Sequence, residues 1–388
     1  MQDKSNFSPM YFAFQWHITD RCNWHCQHCY QEPNRLASEL GLKDLLRIFR
    51  QYLNLIKHFK TIGPEYTRLV LAGGEPLCKK EIFNLLEKIY KYNKYFLLIM
   101  LSNGSLINKN IAGRLNCLGV KKFQVSLEGR QKNNDAVRGK GAFRATLNAI
   151  EALVSSGVET AVSMTLTKNN KQDIYYLAKL CERIGVSQFA VRRLVPMGNA
   201  RHLRNELLEP LELKETYLDF EEMKGNFKRN GFKLKYMLRG CDESIFSEDT
   251  EKPLIKCGVI ESRILTVGPD ADVYPCRRLP IKLGNALKEE LLDIYYHSPV
   301  LKRLRNLNNS FDLCRECDNF FSCLSGAKCV SYAYFNKFSV PDPQCWKLFK
   351  KLPDPAKYRL LHEKKERQAS VFLSLRMNKL FHKIRNHG

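Results

Sequence analysis

Fourteen cysteines dominate the chemistry that this sequence of 388 residues could perform. Three of them lie in one short loop-like run, residues 22–29, and seven more fall between residues 257 and 345. Because the chain starts without a secretory signal, we expect a cytoplasmic protein. In the reducing cytoplasm clustered cysteines hold metals or act as catalytic thiols, and disulfides are rare.

The first group has the spacing C-x3-C-x2-C, formed by Cys22, Cys26 and Cys29. Three thiolates on one loop can bind three irons of a cube-shaped cluster and leave the fourth iron open to a ligand. The alternative is a zinc site completed by His25 or His28, because structural zinc takes four protein ligands.

Strand-like and helix-like segments alternate between residues 11 and 194, and these elements must position the first cysteines. The predicted strands are Tyr11–Thr19, Arg68–Ala72, Phe96–Ser102, Lys122–Leu127, Glu159–Leu166 and Gln188–Val195. The predicted helices are Glu39–Phe59, Lys80–Tyr90, Asn108–Leu118, Ala142–Ser155 and Lys171–Arg183. Such alternation predicts parallel strands with right-handed crossovers. Six units fall short of the eight of a closed barrel. We therefore predict an α/β fold with a partial (β/α)6 TIM-like barrel.

Composition divides the chain into four predicted parts. Residues 1–198 form the barrel, and residues 199–256 form a polar helical bridge without strand alternation. Residues 257–346 hold the second cysteine group, and residues 347–388 form a basic helical tail.

The triple cysteine, followed by Tyr30, resembles the signature of the radical S-adenosylmethionine (SAM) superfamily. Similar blocks follow in register, namely Gly73-Gly74-Glu75-Pro76, Ser102-Asn103-Gly104, Ser126-Leu127-Glu128-Gly129, Asp135-Ala136-Val137-Arg138-Gly139 and Arg193-Leu194-Val195-Pro196-Met197-Gly198. The resemblance implies that Cys22, Cys26 and Cys29 hold a 4Fe–4S cluster whose open iron binds SAM. It also implies that SAM is cleaved to a radical that abstracts a substrate hydrogen atom.

The resemblance further implies a set of SAM contacts. We expect the glycines to let the backbone approach SAM, and the Glu75 carboxylate to accept from its amino group. The expected SAM-binding residues are Gly73, Gly74, Glu75, Pro76, Ser102, Asn103, Ser126, Glu128, Arg138 and Arg193. Cys78, close to Glu75, is a weak candidate for a catalytic thiol, and packing is the favoured role. Cys117 and Cys181 are expected to pack as small apolar residues.

The second cysteine group resembles a SPASM domain, which holds two auxiliary 4Fe–4S clusters in radical SAM maturases. The family pattern would pair Cys314, Cys317, Cys323 and Cys345 on one cluster. It would place Cys257, Cys276 and Cys329 on the other, with Cys241 as the candidate fourth ligand; an open iron or a ligand other than cysteine stays open. This sequence departs from the pattern at Ala271, where glycine is usual, and by two extra residues before Cys329. The alternative for the region is a pair of zinc ribbons.

The formal charge is +23 and the pI is near 9.4. We expect this positive charge to attract acidic partners, either the acidic leader of a peptide substrate or an acidic electron donor of the ferredoxin or flavodoxin type. A packed C-terminal helix with a solvated basic face is the simpler interpretation of the tail. A membrane or nucleic acid is a less favoured partner. The segment before Cys22 is too short for a leader-binding domain, so we expect the leader to be recognised by the bridge, the SPASM region, the basic tail or a separate leader-binding protein.

The resemblance therefore predicts a radical SAM/SPASM maturase with three 4Fe–4S clusters and SAM. It would crosslink, epimerise or excise part of a ribosomally made peptide. One alternative is a sulfatase-maturing enzyme that forms formylglycine, and another is a cofactor-biosynthesis enzyme acting on a haem or a small peptide. A non-catalytic metal-binding or nucleic-acid-binding protein is disfavoured by the intact cysteine triad.

Overall fold

The computed structural model describes residues 11–32, 36, 39–60, 62–238, 257–306, 312–352 and 354. Cys241 and the predicted tail beyond residue 354 lie outside the described residues.

One sheet of ten strands organises the described chain, in the order β10-β9-β8-β1-β2-β3-β4-β5-β6-β7. Its strands are β1 (Phe12–His17), β2 (Thr67–Ala72), β3 (Leu97–Ser102), β4 (Lys122–Ser126), β5 (Glu159–Leu166), β6 (Gln188–Arg193), β7 (Lys235–Leu238), β8 (Ile264–Val267), β9 (Asp272–Tyr274) and β10 (Gly284–Asn285). The strands from β8 to β7 pair in parallel, whereas β9 and β10 pair antiparallel. The sheet does not close on itself, which confirms the open α/β architecture.

Helices follow the strands as right-handed parallel connections require. In the first region they are α1 (Leu42–His58), α2 (Ile82–Tyr90), α3 (Lys109–Cys117), α4 (Gln131–Arg138), α5 (Ala142–Ser155), α6 (Ile174–Ile184) and α7 (Pro210–Arg229). In the cysteine-rich region they are α8 (Leu291–His297), α9 (Pro299–Arg305), α10 (Asp312–Arg315), α11 (Phe320–Cys323), α12 (Lys328–Phe335) and α13 (Trp346–Lys351). The strands and helices predicted between residues 11 and 194 all form; α4 was not predicted.

The core lies between the sheet and its helices, and α1 packs against β1. Phe12, Phe14 and Trp16 are fully buried at alternate positions of β1, as the two-residue period of a strand dictates. The rings of Phe14 and Tyr52 stack with centroids 4.8 Å apart. Burial of these large aromatic side chains fixes β1 in the middle of the sheet, and β1 leads directly into the first cysteine loop.

The prediction that residues 199–256 form a helical bridge without strand alternation is wrong in one respect. After α7 the chain forms β7, which pairs in parallel with β6. This adds a further helix–strand unit to the barrel. The strand was missed because it has only four residues, in which exposed and buried positions alternate behind a charged helix.

The cysteine-rich region joins the same sheet. Its strand β8 lies parallel to β1, with Ala13 opposite Ile264. The side chain of buried Gln51 on α1 also donates to the Ala286 carbonyl at 2.7 Å and accepts from the Leu291 amide at 2.8 Å. A buried amide with both groups satisfied fixes α1 against the second region.

None of the helices in the described residues combines the length and the apolar character that crossing a membrane would demand.

Candidate active site

The first cysteine loop is held from three sides by backbone hydrogen bonds. The Glu75 amide donates to the Arg21 carbonyl at 2.8 Å, and the Gln27 amide donates to the Val137 carbonyl at 2.8 Å. The Ala200 amide donates to the Cys29 carbonyl at 3.0 Å. The loop is thereby fixed to segments that follow β2, β4 and β6, at the carboxyl ends of the parallel strands, where ligands bind in such folds.

Gly73 and Gly74 are needed for packing against this loop. A Cβ atom at Gly73 would lie 2.4 Å from the Thr19 carbonyl oxygen, and one at Gly74 would lie 2.3 Å from the Arg21 carbonyl oxygen. Both contacts are closer than any real Cβ makes, so only glycine fits. The close approach is to the cysteine loop, in addition to the approach to a ligand that the sequence suggests.

Glu75 ties the loop after β2 to the end of β3. Its carboxylate is fully buried, and it accepts from the Ser102 hydroxyl at 2.9 Å and from the Asn103 backbone amide at 2.8 Å. Burial raises its pKa to about 7, although these donors and the Leu77 amide act in the opposite direction. The bond from Glu75 to the SAM amino group stays a prediction.

Arg138 and Glu128 form a buried ion pair beside Cys26. The Arg138 Nη1 atom also lies 3.7 Å from the Cys26 sulfur, and His28 Nε2 lies 3.1 Å from Glu128 Oε1. Burial works against ionisation of Glu128, but the charges of Arg138 and His28 outweigh it and lower the pKa to about 2. Glu128 therefore orients Arg138 toward the cluster loop, and its contact with SAM stays a prediction.

A cavity of about 170 Å³ opens next to the three cysteines. The predicted site residues that line it are Cys22, Cys26, Cys29, Gly73, Gly74, Ser102, Asn103, Ser126, Arg138 and Arg193. Glu75, Pro76, Glu128 and Cys78 are not among its lining residues. Ten of these fourteen predicted positions therefore lie around one cavity, and the other four do not line it.

Sequence reasoning missed the polar residues inside the strands. Gln124 on β4, Ser163 and Thr165 on β5, and Arg192 on β6 all line the same cavity. Arg192 donates to Gln124 across the sheet at 2.7 Å. Polar residues at every second position of otherwise apolar strands mark one face of the sheet, and that pattern was the available signal.

Arg193 pairs with the second region. Its guanidinium donates to both carboxylate oxygens of Asp342, at 3.0 and 2.8 Å, and to Gln344 at 3.2 Å. Arg193 and Asp342 are both almost completely buried. The pair links β6 to the segment that carries Cys345, and the contact of Arg193 with SAM stays a prediction.

Four cysteines of the second group surround one small cavity. Cys314, Cys317, Cys323 and Cys345 line this space of about 30 Å³ together with Asp342. The Asp342 carboxylate also accepts from the Ala327 amide at 2.9 Å and from the Gln344 amide at 3.0 Å. The four thiols predicted for one cluster are therefore brought together.

Cys257, Cys276 and Cys329 form a second thiol cluster next to Arg278. Burial raises the pKa of Cys329 to about 12; Arg278 acts against this, while the Cys276 and Cys257 thiols add to it. Ala271, between the two strands before Cys276, has φ of +64°, the left-handed conformation that explains why glycine is usual there.

The thiols suit clusters better than single ions. Among the described residues, no three His, Cys, Asp or Glu side chains are gathered closely enough for one metal ion. Zinc needs four ligands within about 2.0–2.3 Å, whereas the cysteines of a 4Fe–4S cluster bind different irons and stand farther apart. Burial raises the pKa of Cys22 to about 12 and that of Cys29 to about 11, so iron must displace their protons on binding.

The remaining described cysteines are isolated. Cys78 is half-buried, and its pKa is raised by burial and by Glu75. Cys181 is buried in the core as expected, but Cys117 is exposed at the end of α3. The prediction of a packed Cys117 is wrong because its helix face points to solvent.

A second, larger cavity of about 730 Å³ lies beside the first. Three residues, Tyr30, Gln31 and Arg277, line both cavities. The larger cavity is bounded by the start of the 3-10 segment Gly198–Glu206 on one side and by α12 on the other. Its volume falls in the range of small-molecule and cofactor sites.

Comparison with known families agrees with this geometry. The family model described as the Radical SAM superfamily matches residues 16–181, and the SPASM model, described as an iron–sulfur cluster-binding domain, matches residues 257–318. Residues 16–181 therefore form a radical SAM domain, and residues 257–318 belong to a SPASM domain. The protein is a radical SAM enzyme with a SPASM domain, and these two domains imply SAM binding and iron–sulfur clusters.

Curated relatives extend over most of the chain. The AdoMet-dependent heme synthase of Nitratidesulfovibrio vulgaris is 24% identical, and the match covers 87% of this chain and 93% of the relative. The mycofactocin maturase MftC of Mycobacterium ulcerans is 26% identical over 85% of this chain and 86% of the relative.

Solved structures show the same fold. SuiB of Streptococcus suis bound to its precursor peptide SuiA matches with a TM-score of 0.70 at 17% identity, covering 88% of this chain and 77% of SuiB. Native anSMEcpe with bound AdoMet matches with a TM-score of 0.67 at 19% identity, covering 92% of this chain and 99% of that chain.

Proposed function

We propose that this radical SAM/SPASM enzyme modifies a ribosomally made peptide. The observation that carries the proposal is the 730 Å³ cavity, which shares a wall with the cavity beside Cys22, Cys26 and Cys29. A substrate in the larger space would lie next to the SAM site. The similarity to MftC over most of both chains supports a peptide as substrate.

Cys22, Cys26 and Cys29 would hold the cluster that binds SAM. When bound, this cluster and SAM supply one-electron cleavage and hydrogen-atom abstraction. The protein residues orient and shield this site. Arg138 places a positive charge near the Cys26 sulfur. The side-chain amide nitrogen of Asn103 lies 3.9 Å from the Cys22 sulfur. Buried donors of this kind tune the potential of a cluster.

The second region would hold two auxiliary 4Fe–4S clusters. Cys314, Cys317, Cys323 and Cys345 would bind one, and Cys257, Cys276 and Cys329 would bind the other. Cys241 is the candidate for the missing fourth ligand. Iron and sulfide analysis after anaerobic reconstitution tests the count, since three clusters require about 11–12 iron atoms per chain. A Cys241→Ser variant that keeps this iron content would remove Cys241 from the ligand set.

The basic charge of +23 supports acidic partners. We propose an acidic leader on the peptide, an acidic electron donor of the ferredoxin or flavodoxin type, and a separate protein that binds the leader. Complementary charge raises the association rate of such partners.

The deciding experiment uses the reconstituted enzyme with SAM and dithionite. Short peptides encoded beside the gene are incubated with it and analysed by mass spectrometry. A mass change in a peptide that depends on SAM supports the proposal. No change in any such peptide, together with conversion of a tetrapyrrole, would contradict it.

A tetrapyrrole is the second candidate substrate. The heme synthase relatives match almost their full length, 93% for that of Nitratidesulfovibrio vulgaris and 95% for that of Methanosarcina barkeri. Iron coproporphyrin III therefore belongs in the same assay as the peptides.

A further inference from the structure

Arg277 stands where the two cavities meet. It follows Cys276 directly and lines both the 170 Å³ cavity and the 730 Å³ cavity. Its guanidinium carbon lies 5.8 Å from the centroid of the Tyr30 ring, which lines both cavities as well. The side chain is partly exposed, so a ligand in either cavity can reach it.

Three other arginines of the smaller cavity are engaged by side chains. Arg138 is paired with Glu128, Arg193 with Asp342, and Arg192 donates to Gln124. Arg277 differs from these three. Among the residues that the structure describes, it pairs with no carboxylate and has no hydrogen-bonding partner, and its guanidinium lies over the Tyr30 ring.

Three described carboxylates line the larger cavity, and none of them pairs with Arg277. Glu32 pairs with Arg201 at 3.3 Å, Asp20 accepts from the Leu36 amide at 2.6 Å, and Asp270 accepts from the Asp272 amide at 3.2 Å. The nearby His17 is uncharged at neutral pH, because burial and the charge of Arg277 lower its pKa to about 3. Within the described part of the chain, the guanidinium at the junction therefore has no carboxylate partner.

We propose that Arg277 binds a carboxylate of the substrate at this junction. Arginine is suited to the task because its planar guanidinium holds a carboxylate through two parallel hydrogen bonds. This assignment deepens the proposed function: in a peptide the group is the C-terminal carboxylate or an Asp or Glu side chain close to the modified residue. A propionate of a tetrapyrrole offers the same chemistry, and the experiment separates the two sources.

The test measures binding to the reconstituted enzyme loaded with SAM, by equilibrium dialysis. The peptide probe is a pool of random octapeptides with free C-termini, compared with a C-terminally amidated pool that lacks Asp and Glu. The tetrapyrrole probe is coproporphyrin III, compared with its tetramethyl ester. We expect the wild-type enzyme to bind the acidic peptide pool at least about 10-fold more tightly than the neutral pool.

Three variants make this preference specific. Arg277→Gln should bind the acidic and neutral pools equally, and Arg277→Lys should keep part of the preference because it keeps the charge. Arg201→Gln is the matched control: it removes a guanidinium from the same cavity that is already paired with Glu32, so the preference should persist. Iron content is measured for each variant, and it identifies any variant that fails to assemble a cluster next to Cys276. For such a variant, the comparison of Arg277→Lys with Arg277→Gln is decisive.

The outcomes separate the two proposals. Equal binding of acidic and neutral probes by the wild type, or an unchanged preference in Arg277→Gln, would overturn the role of Arg277. A preference that depends on Arg277 for coproporphyrin III but for neither peptide pool would support Arg277 and contradict the peptide substrate.

Discussion

The barrel and the cysteine-rich region are stabilised in different ways. The barrel buries large side chains such as Trp16, Phe123 and Phe189 completely between its sheet and helices. The region around Cys314 instead has small clusters, one built from Ile260, Phe320 and Leu324, with cysteines packed against them. A large apolar core can hold a fold without its cofactor, whereas short helices around thiols depend on the metal that the thiols bind.

The two regions also build their binding sites differently. In the barrel, polar side chains project from the ends and faces of strands that the core already fixes. In the second region, the four thiols of the small cavity come from α10, the turn between α10 and α11, α11 and the segment before α13. Substitution of a cluster-binding cysteine should therefore abolish the reaction when it is made in the barrel, and should destabilise the local fold when it is made in the second region.

The largest effect is expected for Cys26→Ala. Because two thiolates cannot anchor the SAM-binding cluster, reductive cleavage of SAM should fall to background while the fold persists. The 5′-deoxyadenosine formed with dithionite measures the activity, and circular dichroism measures the fold. Cys117→Ala is the control, since Cys117 is exposed and should leave the yield unchanged. Substantial 5′-deoxyadenosine formation by Cys26→Ala would contradict the assignment of Cys26 to the SAM-binding cluster.

Cys323→Ala should break the second region alone. Loss of one of four ligands should cost several kcal/mol of local stability, because cluster binding and folding are coupled there. Hydrogen exchange should speed up across residues 312–352 and stay slow in β1 to β5. Uniform exchange throughout the chain would show that the two regions unfold as one unit.

Arg193→Met tests the buried ion pair between Arg193 and Asp342, which links the barrel to the cysteine-rich region. Removal of one partner from this buried pair leaves Asp342 charged and unpaired, which costs about 3–5 kcal/mol. Chemical denaturation measures the loss, and the double variant with Asp342→Leu should recover much of it. The control is Glu221→Gln, which breaks a pair of partly exposed side chains, Lys224 with Glu221 at 2.9 Å, and should cost about 0–1 kcal/mol.

Gly73→Ala should destabilise the barrel by about 1–3 kcal/mol, because its new methyl group would press on the Thr19 carbonyl. Iron retention should fall with it. The matched control is Gly113→Ala in α3, where a Cβ meets nothing within 4 Å and alanine should stabilise by about 0.4–1 kcal/mol. Equal melting temperatures for the two variants would show that the Gly73 contact relaxes freely.

His17 gives the smallest predicted effect, seen in the pH dependence of stability. Its pKa in the folded barrel is lowered to about 3, so between pH 6.5 and 3 the unfolded chain holds a proton that the folded chain does not. Stability from this group is present above pH 6.5 and is lost as the pH falls, by about 1.4 kcal/mol per unit. Between pH 6.5 and 5.5 the wild type should lose about 1 kcal/mol more stability than His17→Gln, because the unfolded imidazole goes from half to about nine-tenths protonated. Denaturation at the two pH values measures this difference, and the exposed His202, changed to Gln, should not alter it.

Much of the barrel could be predicted from the sequence because its signals are local. Apolar residues recur at strand or helix spacing, and the cysteine spacing identifies the metal-binding loop within eight residues. β7 was missed because a four-residue strand carries too short a pattern. β8 was missed because its pairing with β1 depends on residues about 250 positions away, and no local pattern contains that contact.

The sequence predicted which residues lie near the site, but it did not predict their contacts within the protein. Glu75 accepts from the Ser102 hydroxyl, and Arg193 pairs with Asp342. A motif shows that a charged residue is present but not where its side chain points. Arg277 has no motif around it, and only the geometry shows that it reaches both cavities.

The pairing of β1 with β8 has a consequence for synthesis on the ribosome. β1 is made first and leads into the cysteine loop, but the strand that covers its outer edge follows about 250 residues later. Until then β1 exposes unpaired backbone groups, which other chains can pair with. Since contacts so distant in sequence form slowly, we expect the nascent protein to need protection of this edge. We also expect iron to enter the first loop only after β8 has been translated.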